Sequence, residues 1–137
     1  MCGIIYVLTY IKEICMKYLF AIDFDNTIVK TPSYPNFTEP IPETVNFIRE
    51  LQKRSNFSWC LWTCRTGKEL EDALRYCEKL QLYPDYVNEN SIERVVKFDG
   101  DSKKVSADCY IDDRNYGGLK VPPIEYLDEV KGVVYNE

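Results

Sequence analysis

A three-layer α/β fold with a doubly wound, mostly parallel sheet is what this sequence predicts. Apolar runs of strand length, at 18–22, 57–63 and 107–111, alternate with longer stretches of helical periodicity. Each run ends on residues of chemical use: Asp23 and Asp25, then Thr63, then Asp112 with Asp113. Alternation of this kind builds parallel sheets. Strand ends of one sense then share one edge, where α/β sheets form their ligand crevices.

The elements follow in order. Tyr-Leu-Phe-Ala-Ile at 18–22 is wholly apolar, as a strand covered on both faces is. Residues 28–39, rich in Pro, Thr, Ser and Asn, form a loop. Pro40-Ile41-Pro42-Glu43 opens a helix, with proline suited to the first turn. Val45, Ile48 and Leu51 recur at helical spacing, Phe47 widens the stripe, and Lys53 and Arg54 suit the carboxyl end. Phe57, Trp59, Cys60, Leu61 and Trp62 make a second buried strand. Gly67 begins a second helix with Leu70, Leu74 and Cys77 inward. Residues 83–87 read as a short strand, 91–97 fit either a helical turn or a strand, and 100–104 are polar loop. The run 107–111 is a further strand, and 124–130 a last short helix.

At 137 residues, 16–137 form a single domain. Residues 1–15 are an extension. Its mostly apolar stretch, 3–11, is too short to span a bilayer and lacks the basic start and cleavage site of a signal peptide. Met16, just before the first strand, offers an alternative start. A net charge of -5 disfavours nucleic acid and anionic membranes as partners. The absence of histidine removes Ser-His-Asp, Cys-His and His-metal chemistry, so acid–base work falls to carboxylates, Lys, Tyr or Cys. Six cysteines contain no Cys-x-x-Cys pair, which argues against zinc. They are expected to be reduced thiols, mostly in elements as small hydrophobes, in a cytoplasmic protein.

Asp23-Phe24-Asp25-Asn26-Thr27, the strand ending in Leu61-Trp62-Thr63, Lys104 (or Lys103) and Asp112-Asp113 come in the order that resembles the haloacid dehalogenase (HAD) superfamily of phosphohydrolases. The resemblance spans about residues 17–113. Its common form has Gly where this chain has Asn26, and Asn tolerates left-handed backbone conformations better than most residues.

The resemblance implies the HAD core and a Mg²⁺-dependent phosphomonoesterase. Asp23 would be the nucleophile that forms an aspartyl-phosphate. Asp25 would be the acid and base, Thr63 a hydrogen-bond donor to the phosphoryl group, and Lys104 its charge neutraliser. The metal would be held by Asp23, Asp25 through its backbone carbonyl, and Asp112, with Asp113 adjacent.

Arg65 and Arg114 each closely follow a motif residue, in reach of a substrate phosphate or carboxylate or of a neighbouring acid. The intervals 27–57 and 63–103 leave no room for a cap domain, so the site is expected to be open to a small molecule or to an exposed phosphate on a macromolecule. A neighbouring copy in a homo-oligomer or the 31–39 loop would be its only cover. The competing reading is a non-catalytic phosphate- or metal-binding module on the same fold. A response-regulator receiver fits poorly, because here the adjacent acidic pair follows the lysine.

Overall fold

The computed structural model describes residues 16–130. The extension 1–15 and the last residues of the expected domain, 131–137, lie outside them. The architecture is α/β, with four strands in one all-parallel sheet flanked by helices. The elements are β1 (Tyr18–Ile22), α1 (Pro42–Gln52), β2 (Phe57–Leu61), α2 (Gly67–Lys79), β3 (Tyr86–Val87), α3 (Ile92–Phe98), β4 (Cys109–Ile111) and α4 (Glu125–Val130).

Strand order is β3-β2-β1-β4. The chain therefore winds outward from β1 through β2 to β3, then crosses back to the far side of β1. That reversal is a topological switch point, and it lies between the carboxyl ends of β1 and β4.

Register brings the chemistry together. Ile22 pairs laterally with Leu61 on one side and Ile111 on the other. One residue further along each strand stand Trp62, Asp23 and Asp112. Neighbouring parallel strands lie about 4.8 Å apart with side chains alternating in phase, so these three share one face of the sheet edge. Asp23 N–H continues the ladder to the Ile111 carbonyl at 3.0 Å, and Trp62 N–H to that of Ile22 at 2.9 Å.

The larger core lies on the opposite face. Phe20, Ile22, Trp59 and Leu61 of the sheet pack there with Phe47, Ile48 and Leu51 of α1, Ala73 and Cys77 of α2, and Leu127 of α4. The smaller cluster, Leu19, Ala21, Cys60 and Val105 with Trp62, Tyr86 and Tyr110, underlies the site face. The α3 side chain Glu93 accepts a hydrogen bond from the Tyr86 hydroxyl in this cluster.

Several boundaries tighten relative to the sequence. The strand expected at 57–63 ends at Leu61, with Trp62 N–H adding one last ladder bond to the Ile22 carbonyl. Only Tyr86 and Val87 of 83–87 pair. The ambiguous 91–97 is helix α3, decided by Ser91, whose hydroxyl caps the Arg94 N–H at its start. Cys60 and Cys77 are buried and free, whereas Cys64 is exposed, against the expectation that the cysteines sit inside.

Candidate active site

The turn after β1 is built to hold an acidic side chain outward while anchoring itself inward. Phe24 is fully buried, and its carbonyl accepts from the N–H groups of Thr27, Ile28 and Val29. Asn26 sits in the left-handed region at φ 57°, and its side-chain oxygen accepts from Thr31 N–H. Asn therefore does the work glycine does in such turns, and adds a bond glycine cannot make. The Thr27 hydroxyl, fully buried, accepts from Asp113 N–H at 3.1 Å and so ties the β1 turn to the β4 turn.

Asp23, Asp112 and Asp113 converge as a result. Each offers a carboxylate oxygen, and the three oxygens lie within 4.8 Å of one another. Burial pushes the Asp23 carboxyl up to about 8, helped by the negative charge of Asp112 and by a hydrogen bond with Asp113, while Phe24 N–H opposes the shift. Asp113 is also raised, again chiefly by burial. Repulsion among the clustered acids thus favours keeping a proton within the cluster. A divalent cation would relieve it equally well, and three half-buried oxygen donors suit a hard one.

A cavity of about 250 Å³ opens beside this cluster, lined by Asp23, Trp62, Thr63, Cys64, Asp112 and Arg114. Thr63 is held by its neighbours: its N–H donates to the Asn88 side-chain oxygen, and its hydroxyl accepts from Arg65 N–H. Asn88 is itself left-handed, at φ 52°. Arg114 N–H donates to Asp112.

Arg65 does not reach a substrate. Its side chain is 1% exposed, and its Nε and one terminal nitrogen bind both oxygens of Asp25 at 2.8 and 2.7 Å. Two further N–H donors go to the carbonyls of Pro35 and Glu69. The rings of Phe24, Tyr34 and Phe37 surround the guanidinium at 5.0–5.4 Å. Of the two readings open for Arg65, substrate contact or pairing with a neighbouring acid, the geometry has the ion pair: the guanidinium is buried and four of its five N–H donors are engaged within the protein.

Asp25 stands apart from the acidic trio. One oxygen also accepts from the Thr31 hydroxyl at 2.7 Å. Its carboxylate is therefore not among the clustered metal donors, and only its backbone carbonyl remains for that part.

Lys104 is on the correct face but does not touch the acids. Its ammonium lies 5.2 Å from the centre of the Tyr110 ring, two residues back along β4 from Asp112. Among the described residues neither Lys103 nor Lys104 makes an ion pair with the acidic trio.

A solved structure of a conserved protein from Bacteroides thetaiotaomicron is 34% identical to this chain, at a TM-score of 0.65, over 82% of this chain and 88% of that one. This chain belongs to that protein's family. No family model matches, and no curated protein matches. Family membership fixes the fold, so the chemistry has to be read from the side chains.

Two residues of this member's site were not visible as such in sequence. Thr31 fixes Asp25, and Asn88 fixes Thr63. Both sit in polar loops where Thr and Asn are ordinary, and no spacing marks them. Thr27 was visible as part of Asp-x-Asp-x-Thr, but its bond to Asp113 depends on the register of β1 against β4. Among the described residues no helix is long and apolar enough to cross a membrane.

Proposed function

We propose that the protein is a Mg²⁺-dependent phosphomonoesterase of the HAD type, with Asp23 as the nucleophile. The observation that carries this is the meeting of Asp23 with Asp112 and Asp113 at the switch point, beside a cavity bearing Thr63. A stable α/β domain has no structural need to bury three carboxylates against one another, and phosphoryl transfer does.

Asp23, Asp112 and Asp113, with the Asp25 carbonyl, would hold the cation, which would supply positive charge against the phosphoryl group. With its proton released to solvent, an Asp23 oxygen attacks phosphorus in line, forming the aspartyl-phosphate as the P–O bond to the ester oxygen breaks. Both Asp25 oxygens accept from Arg65, so Asp25 first takes up a proton from solvent as one of those bonds opens, gives it to the leaving ester oxygen, and later takes one from the hydrolytic water. Arg65 and Thr31 set where the Asp25 carboxyl stands. Thr63 donates to a phosphoryl oxygen. Lys104 supplies positive charge after its stem swings off Tyr110, and Lys103 is the alternative. With no cap inserted between the described elements, the site is open, and Arg65 ties Asp25 to the Pro35 carbonyl of the 31–39 loop.

The non-catalytic reading draws on one specific observation: Asp25 is held at both oxygens while Lys104 rests elsewhere. Peptide mapping after an acid quench separates the two. Wild-type protein turning over an aryl phosphate with Mg²⁺ is expected to carry phosphate on Asp23. Binding of Mg²⁺ with neither phosphorylation nor phosphate release would establish the module instead.

A further inference from the structure

The cavity beside Asp23 carries information about the leaving group. We infer that it accepts a small phosphomonoester whose leaving group bears a second anionic group, bound by Arg114, on a flat body that packs against Trp62. The inference rests on the phosphatase reading and specifies its substrate class.

Size comes first. At about 250 Å³ the cavity falls below the roughly 300 Å³ at which pockets begin to enclose drug-sized ligands. Once a phosphoryl group sits against Asp23 and Thr63, the remaining space suits one ring or a short chain. Chemistry comes second. Trp62 stands next to Asp23 in register and is only half-buried, so its indole forms a wall of the cavity as well as part of the smaller core cluster. Aromatic faces of this kind favour flat partners.

Charge decides the rest. Arg114 lines the cavity, and among the described residues only its backbone N–H is engaged, by Asp112. Arg65 shows the contrast: four side-chain hydrogen bonds and three aromatic rings occupy it. A guanidinium kept exposed beside a phosphoryl site, with no acid paired to it, presents a fork for a planar anion. The acidic trio and its cation would take the phosphate, which leaves Arg114 for a carboxylate or second phosphate on the same molecule.

The test compares phenyl phosphate with meta- and para-carboxyphenyl phosphate. In wild-type protein with Mg²⁺, kcat/KM is expected to favour a carboxylated ester by about tenfold or more, the scale of one charge-assisted pair. Arg114→Gln should remove most of that ratio, and Trp62→Leu should lower kcat/KM for aryl esters more than for ethyl phosphate. The same esters are titrated calorimetrically into Asp23→Asn protein with Mg²⁺, a readout that needs no turnover. Equal treatment of carboxylated and plain esters, a preference that survives Arg114→Gln, or no binding of either ester would overturn the inference. Binding through Arg114 without phosphate release would spare it while removing the hydrolase reading.

Discussion

Asp23 is where the physics of a single residue is most exposed. Its carboxyl holds a proton well above the usual range because of burial and the neighbouring Asp112 and Asp113. The folded state therefore binds that proton more tightly than the unfolded chain does. Its stabilising contribution is complete below about pH 4 and disappears as pH rises toward 8. A cation takes over the same task only when the acids are ionised. The melting-temperature gain from Mg²⁺ is thus expected to be larger at pH 8 than at pH 5, and to shrink in Asp23→Asn; equal gains at both pH values would contradict the metal assignment. Arg65 invites a different measurement. Arg65→Met leaves Asp25 without its partner in a mostly buried setting and should destabilise the fold by about 3 kcal/mol. Urea unfolding reads this directly, and a loss near zero would show that the pair is incidental. The sequence announced Asp23, Asp112 and Asp113 through their places after apolar runs. It left Arg65 open between ligand and ion pair, because proximity to Thr63 says nothing of which way a long side chain turns.

Among the elements, α1 carries an unresolved tension. Thr44 is fully buried in the helix, and among the described residues its hydroxyl has no hydrogen-bond partner. An unpaired buried hydroxyl costs about 1–3 kcal/mol. Thr44→Val keeps the shape and removes the penalty, so it should raise the melting temperature by a few degrees. A calorimetric scan showing a lower value would mean the hydroxyl is paired. The elements also show where sequence reading runs short. β1, α1, α2 and the acid-bearing end of β4 were legible because apolar spacing decides them. The strand β3 was legible in place but not in extent, two residues instead of 83–87, and the helix α3 was left open against a strand. Pairing partners supply what little β3 has, and a single Ser91 cap outweighs the weak periodicity of 91–97.

Over the whole molecule, strand order converts a linear pattern into a site. Because β4 returns beside β1, residues distant in sequence become lateral neighbours, and the crevice forms where the winding reverses. The general α/β plan could be anticipated from alternation alone, and the convergence of acids from their strand ends. Two things could not: Lys104 resting on Tyr110, and the tie between Asp25 and the 31–39 loop through Arg65, since both depend on side-chain packing rather than on pattern. Release of phosphate from 4-nitrophenyl phosphate across a Mg²⁺ titration tests the central claim most directly. The rate should rise to saturation with Mg²⁺, fall to background with a chelator, and vanish in Asp23→Asn. Undiminished turnover in Asp23→Asn, or turnover indifferent to the cation, would contradict it.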